Sequence, residues 1–190
     1  MTDSPAFEAR VHDPQVLRAL AHPLRARLLG LLRLDGPSTA SRLGERVGES
    51  SGVTSYHLRQ LEQYGFVSEA EGRGTARERW WQAEHRMTSW EPGEIAEQPG
   101  GLEANAQMQR LQVELMGREL RAWLEADQPR EWAAVAGLSD YVLHLTPAQT
   151  RQLLAEVWAV LDRWAEQHRE PTDGTSPVNV FTVAAPRVTE

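Results

Sequence analysis

The chain of 190 residues contains no cysteine, no lysine and no long apolar run. Without cysteine there are no disulfides and no thiolate metal ligands, which agrees with a reducing compartment. A membrane-spanning helix needs about 18 or more consecutive apolar residues, so a membrane protein is not expected. The first residues, Met1 to Pro5, lack the basic and apolar regions of a secretory signal. We therefore expect a cytoplasmic protein.

The charge is unevenly distributed along the chain. All 20 basic residues are arginine, a bias that we attribute to a GC-rich genome. The net charge of −7 combines 12 arginines against 11 acidic residues in residues 1–90 with 8 against 16 in residues 91–190. The first half is thus close to neutral at +1, and the second is strongly acidic at −8. Only the first half is suited to a nucleic-acid partner.

Four helix starts can be recognised before residue 65. Asp13-Pro14 opens the first helix and His22-Pro23 precedes the second, because proline fits the first helical position. Ser38 and Thr39 are caps for a third helix over residues 40–47, and Ser50 caps a fourth. Tyr64-Gly65 ends the fourth helix through a left-handed glycine. The pattern predicts two helices followed by a helix–turn–helix.

A glycine-rich hairpin follows the fourth helix. We predict strands over residues 66–69 and 77–82, with the tip at Glu71 to Thr75. Beyond it, long helices are predicted at 102–126 and 146–168, a short one at 132–137, and strands at 141–145 and 178–183. The fold class is mainly α with a small β-wing, followed by a helical or α+β C-terminal region. The predicted parts are an arm at 1–13, a domain at 14–86, a linker at 87–101 and a C-terminal region at 102–190.

The fourth helix has two faces of different character. Thr54, His57, Leu58 and Leu61 share one face, and Gly52, Ser55, Tyr56 and Arg59 share the opposite one. A helix that buries a narrow seam and displays hydroxyls, a phenol and a guanidinium suits a DNA major groove. The alternative for the polar face is a solvated surface.

Residues 14–82 resemble the ArsR-type winged-helix repressors of bacteria. The segments that carry the resemblance are Leu17 to Arg25, Arg27 to Leu29, Gly36 to Ala40, Thr54 to Leu61 and Gly65 to Val67. The resemblance implies a homodimeric regulator whose fourth helix enters the major groove of a palindromic operator. It implies a wing over residues 66–81 that lies on the DNA backbone or minor groove. The C-terminal half would then serve dimerisation or effector sensing.

The candidate DNA contacts come from the fourth helix and the wing. Arg73 lies between two glycines, which allow a close approach to DNA, and Arg77 alternates with Arg79 along the returning strand. His57 lies on the seam, where a half-buried histidine is the competing interpretation, and the methyl group of Thr54 can point to the core. The full set of candidates is Ser51, Thr54, Ser55, Tyr56, His57, Arg59, Arg73 and Arg77.

Neither catalysis nor a cofactor is expected. The third helix, residues 40–47, has no soft ligand where metal-sensing relatives carry cysteine, and the six histidines show no ligand spacing. No nucleophile elbow, phosphate loop or carboxylate pair is present in the sequence pattern. We predict a regulator that is independent of metal.

Two other functions stay open. The near-neutral charge of residues 1–90 also fits a winged-helix module that binds a partner protein. The seven tryptophans fit either core and dimer packing or an aromatic pocket for an apolar effector between the domains.

Overall fold

The computed structural model describes residues 6–70, 79–168 and 172–187, apart from the side chains of Ala6 and Phe7. The chain divides into two compact units, Met1–Arg121 and Ala122–Glu190. The described residues are mainly helical with a small antiparallel sheet, as predicted. None of their helices is long and apolar enough to cross a membrane.

The first two helices begin at the predicted prolines, and each has a side-chain cap. Helix α1 spans Pro14–Leu20, and the Asp13 carboxylate accepts a hydrogen bond from the Gln15 amide at 2.7 Å. Helix α2 spans Pro23–Asp35, and Nδ1 of His22 accepts from the Leu24 amide at 3.2 Å. These side chains satisfy amides that have no partner in the first turn of a helix. The histidine before α2 is therefore a cap as well as a break.

Helices α3 and α4 form the predicted helix–turn–helix. Helix α3 spans Ala40–Val47 after the Thr39 cap, and α4 spans Ser51–Gln63. Between them the backbone turns through Gly48, whose φ is +77°, a conformation that glycine adopts at little cost. A Cβ on Gly44 would lie 2.7 Å from the Glu49 carbonyl oxygen, so the turn closes tightly on α3.

A three-stranded antiparallel sheet follows, in the order β2-β4-β3. Strand β2 is Ser38–Thr39, β3 is Val67–Glu69 and β4 is Trp80–Ala83. Val67 pairs with Ala83, and Ser38 pairs with Trp81. The antiparallel β3–β4 pair agrees with a wing, whose predicted tip at 71–75 lies outside the described residues.

The core of the first unit lies where these helices meet the sheet. Trp81 and Phe66 are each 2% exposed, and they are among the largest buried side chains. The core also contains leucines from α1 to α4, namely Leu17, Leu28, Leu29, Leu43, Leu58 and Leu61. Burying a leucine fully contributes roughly 1.5–3 kcal/mol, so this cluster fixes the orientation of α4.

Part of the segment predicted as a loose arm is a strand. Ala6–Arg10 forms strand β1, which pairs in parallel with β5, His85–Ser89. Arg33 supports this pair from α2, because its Nε donates to the His85 carbonyl at 2.8 Å and its Nη2 to Thr88 Oγ1 at 2.7 Å. Burial lowers the pKa of Arg33 to about 10.

The segment predicted as a linker, 87–101, is also structured. After the end of β5 it forms helix α5, Pro92–Ala96, whose Ile95 is fully buried. Helix α6, Gly101–Glu125, follows as predicted and places Ala104, Met108 and Leu111 in the core of the first unit. Ile95 was overlooked because glycine, proline and acidic residues dominate its segment, whereas Met108 and Leu111 lie on the apolar stripe that was predicted for α6.

The second unit contains helix α7, Arg130–Ala133, and helix α8, Pro147–Gln167. Thr146, which the sequence predicts as the cap of α8, forms a capping box with Gln149, in which each side chain accepts from the other residue's backbone amide. The strands predicted at 141–145 and 178–183 are wrong, since neither segment has a partner strand among the described residues. In place of the helix predicted at 132–137, the structure has the end of α7, which stops at Ala133, and a turn at residues 134–135. On the face of α8 predicted as buried, Leu153 and Trp164 are exposed, at 36% and 57%. The other three residues of that face, Leu154, Val157 and Leu161, are half-buried.

Candidate nucleic-acid interface

Helix α4 is held firmly and displays one free face. At its start, Ser50 Oγ accepts a hydrogen bond from the Val53 amide at 3.3 Å. Along its inner side, Leu58 and Leu61 are 0% and 1% exposed. At its end, Gly65 has a φ of +73°, as the sequence predicted. The helix therefore cannot rotate without disrupting the core, and its outer face is pre-organised.

The outer face carries several of the predicted contacts. Ser51 and Arg59 are exposed, Ser55 is half-buried, and Tyr56 is 57% exposed. Of the ion pairs among the described residues, none includes Arg59. Its guanidinium can therefore donate to a phosphate or to the O6 and N7 atoms of guanine.

Thr54 does not belong to this outer face. Its side chain is fully buried, and its Oγ1 donates to the Ser50 carbonyl at 3.0 Å. It also lies against Gly44, where an added Cβ would come within 3.1 Å of the hydroxyl. Thr54 joins the seam because it lies four residues before Leu58. The structure thus places this candidate at the contact between α3 and α4.

His57 is half-buried, as its position on the seam suggested. Its ring lies 4.6 Å from the ring of His22 and 5.1 Å from that of Tyr56, measured between centroids. Burial lowers the pKa of His57, and the nearby His22 and Arg25 lower it further, whereas Glu49 raises it. The imidazole is therefore held toward its neutral form in the free protein.

The sequence prediction missed two residues beside α4. His22 and Arg25, at the start of α2, lie close to His57 of α4, and both are half-buried. Their spacing of three residues places them on one face of α2, which is a usable signal. Their approach to His57 depends on how α2 packs against α4, and local sequence does not encode that.

The wing is described only at its base. The candidates Arg73 and Arg77 lie outside the described residues. Arg79, at the start of the returning strand, forms ion pairs with Glu62 and, at 2.9 Å, with Glu69. Its guanidinium also lies 4.1 Å from the centre of the Trp81 ring. Arg79 thus has its charge neutralised within the domain, which separates its role from that of Arg59.

The tryptophans of the first unit serve packing. Trp81 is 2% exposed, and Trp90 Nε1 donates to Asn105 Oδ1 at 3.0 Å. A cleft of about 410 Å³ in this unit is lined by Val11, Val16, Tyr64 and Phe66, among others, and by no tryptophan. The core-packing interpretation is therefore the better one for Trp81 and Trp90.

Comparison with known sequence families gives one match, to a helix-turn-helix domain family over residues 20–70. Residues 20–70 form a helix-turn-helix domain. The match runs from the end of α1 to the end of β3 and so contains α4 entirely. It supports a DNA-binding regulator. A search of curated proteins found no significant match.

Two solved structures are similar to parts of the chain. One, titled "Crystal structure of Possible transcriptional regulator for arsenical resistance", is 28% identical and covers 60% of this chain and 97% of its own, with a TM-score of 0.32. The other, "Structure of Disulfide formed AbfR", is 18% identical and covers 54% and 71%, with a TM-score of 0.28. Because both TM-scores are below 0.5, neither likeness contributes to the assignment.

Proposed function

We propose that this protein is a sequence-specific transcriptional repressor of the ArsR type, which binds a palindromic operator as a homodimer and acts without catalysis. The observation that carries the proposal is the outer face of α4. It displays Tyr56 and an Arg59 that has no ion-pair partner among the described residues, within a helix-turn-helix domain. A rigid helix with a free arginine matches the requirements of major-groove reading.

Five of the candidates have a defined chemical role in this proposal. Arg59 donates to a guanine or a phosphate, and Tyr56 donates its hydroxyl to a phosphate or packs on a thymine methyl group. Ser51 lies near the N-terminus of α4, where the helix dipole favours phosphate. Arg73 and Arg77 contact the backbone or minor groove from the wing. Because Thr54 is buried, it positions α4 and does not contact DNA.

The acidic second half is assigned to dimerisation. It carries a net charge of −8, which disfavours contact with DNA. Helix α8 exposes a wide apolar face that includes Leu153 at 36%, Trp158 at 48% and Trp164 at 57%. An exposed apolar face of this kind is typical of an interface. Two copies would place their α4 helices about 34 Å apart, one turn of DNA.

Selection of bound sequences from a random DNA library tests the proposal. The full-length chain should enrich an inverted repeat whose half-sites are centred about 10 base pairs apart. The affinity for the enriched site should fall steeply with salt, because phosphate contacts release counterions. If no sequence is enriched, or if affinity does not depend on salt, the chain is instead a protein-interaction module.

Oligomeric state is measured separately from DNA binding. Leu161→Asp on the apolar face of α8 should convert the dimer to a monomer in sedimentation experiments, because burying an unpaired carboxylate is costly. Gln152→Asp, at an exposed position of the same helix, adds the same charge as a control. Equal dimerisation of both variants would show that the dimer forms elsewhere.

A second candidate function has one specific observation in its favour. Trp158 and Trp164 are about half exposed in α8, and the Trp164 ring is stacked 5.2 Å from that of His168. Such side chains could instead receive an apolar effector that alters DNA affinity. In that case an effector quenches tryptophan fluorescence and changes operator affinity together. Regulation that survives deletion of residues 122–190 would exclude this function.

A further inference from the structure

Three basic side chains meet beside the outer face of α4. The rings of His22 and His57 are 4.6 Å apart, and Arg25 lies one turn after His22 on α2. Tyr56, which is 57% exposed, lies 5.1 Å from the His57 ring. The cluster therefore joins the start of α2 to the outer face of α4.

This cluster has a shortage of negative charge. None of the ion pairs in the described part of the chain includes Arg25, and its buried Nε has no hydrogen-bond partner there. Nδ1 of His57 has no partner there either. The positive charge of Arg25 has no compensating carboxylate among these ion pairs, which favours the approach of an external anion.

The charged groups around the cluster are few. Arg25 faces Tyr56 of α4 and Tyr64, and His22 faces Arg25 and His57. Glu49, from the turn before α4, is the one carboxylate that acts on His57 among these groups. Burial, with the neighbouring positive charge of Arg25, lowers the pKa of both histidines. In the free protein both histidines are kept toward the neutral form, because burial and the charge of Arg25 outweigh the effect of Glu49 on His57.

We propose that His22, Arg25 and His57 form a binding site for a backbone phosphate of DNA, and that binding at this site is coupled to proton uptake by His57. The proposal rests on the function proposed above. A phosphate brought against the cluster by α4 accepts from the Arg25 guanidinium and from the Nε2–H of a histidine. Its negative charge favours the protonated imidazole and so reverses the effect of burial.

Proton uptake has a defined sign. If the complex holds more protons than the free protein, the affinity for DNA rises as pH falls. One proton taken up over the whole interval corresponds to a gain of about tenfold in affinity per pH unit. Nδ1 of His22 already accepts from the Leu24 amide, so neutral His22 carries its proton on Nε2 and can donate it to the phosphate without titrating. The proton that is taken up therefore belongs to His57.

Three variants test this site, and two others are controls. His57→Gln removes the titrating group, and His22→Asn removes the second imidazole donor while asparagine retains a cap for α2. Arg25→Gln removes the fixed charge. Arg27→Gln, on another face of α2, is the matched control for Arg25, and His144→Asn, exposed in the second unit, is the control for the histidines. Circular dichroism confirms that each variant is folded.

The experiment measures operator affinity by fluorescence anisotropy between about pH 8 and about pH 6 at constant ionic strength. The wild-type protein and both controls should bind more tightly at the lower pH, by up to about tenfold per pH unit. The His22→Asn/His57→Gln double variant should bind with an affinity independent of pH. Arg25→Gln should weaken binding at every pH and reduce the dependence of log K on log salt by about one.

The outcomes that overturn the inference differ from those that overturn the proposed function. Wild-type affinity that does not change with pH, or a double variant that keeps the wild-type dependence, removes the phosphate site while leaving an operator-binding protein. An absence of operator binding at every pH removes the proposed function itself, and this site with it.

Discussion

Helices α4 and α8 are both amphipathic and both begin at a hydroxyl cap, yet only α4 has its apolar side covered. In α4, Thr54, Leu58 and Leu61 are at most 1% exposed, whereas in α8 Trp158 and Trp164 are 48% and 57% exposed. Helix α4 is therefore fixed by the core of its own domain, whereas α8 leaves an apolar surface exposed, which is typical of an interface. Helical periodicity predicts an amphipathic helix, but it does not identify which part of the protein covers the apolar side of that helix.

The largest expected difference between the two units concerns tryptophan. Trp81→Ala should lower the free energy of unfolding of the first unit by about 3–5 kcal/mol, because it leaves a cavity in the core. Trp164→Ala, at a half-exposed position of α8, should change the stability of that unit by less than about 0.5 kcal/mol. Hydrogen exchange of the core amides of α2 and α4 measures the effect of Trp81→Ala, and hydrogen exchange of the amides of α8 measures that of Trp164→Ala. Similar losses in the two variants would contradict the difference in burial between the two tryptophans.

A smaller effect is expected at the helix–turn–helix. Gly44→Ala should cost about 1–3 kcal/mol, because the new Cβ would meet the Glu49 carbonyl oxygen at 2.7 Å. Gly30→Ala on α2 is the matched control, since nothing lies within 4 Å of its Cβ position. The control should gain about 0.5–1 kcal/mol from helix propensity. Thermal denaturation that shows equal effects at the two glycines would disprove the tight turn.

The two caps provide the next comparison. Ser50→Ala should cost about 0.5–2 kcal/mol in the unfolding of the first unit, because α4 is part of its cooperative core. Thr146→Ala breaks the capping box of α8 and should instead increase fraying of that helix, with the first unit unchanged. NMR chemical shifts and urea denaturation distinguish the two cases. Loss of stability in the first unit from Thr146→Ala would mean that α8 supports its core.

The smallest effect is a dependence of stability on pH in the absence of DNA. His22 and His57 have lowered pKa values when folded, so the unfolded chain binds protons more readily. Their contribution to stability is present above the unfolded value of about 6.5 and decreases as pH falls below it. The His22→Asn/His57→Gln variant should lose part of this decrease, measured by urea denaturation. Stability therefore decreases as pH falls, whereas DNA affinity is expected to increase. Equal pH dependence of stability in the variant and the wild type would contradict the contribution of the two histidines.

The sequence predicted the features that depend on neighbouring residues. The caps at Asp13, Thr39, Ser50 and Thr146 were predicted and are confirmed, because each depends on a side chain and an amide two or three residues away. The turn at Gly65 was predicted for the same reason. Strand β1 was missed because its partner lies at residues 85–89, far along the chain.

In the candidate site, too, local sequence predicted some features, whereas others depend on packing between distant segments. Exposure of Tyr56 and Arg59 followed from helical periodicity, and so did the ambiguity of Thr54, which the structure resolves toward the core. The contact of His22 with His57 could not be predicted, since it depends on the packing of α2 against α4. The strand expected at 178–183 failed because alternation alone forms no strand without a partner.

The central claim is that Arg59 on the outer face of α4 reads DNA. The most direct test compares base preferences selected from random DNA by the wild-type chain, by Arg59→Gln and by Arg110→Gln, an exposed control on α6. We predict that Arg59→Gln loses discrimination at one position of each half-site, by about 1–3 kcal/mol, while the control keeps the wild-type profile. An unchanged profile and affinity for Arg59→Gln would contradict the assignment of α4 as the reading helix.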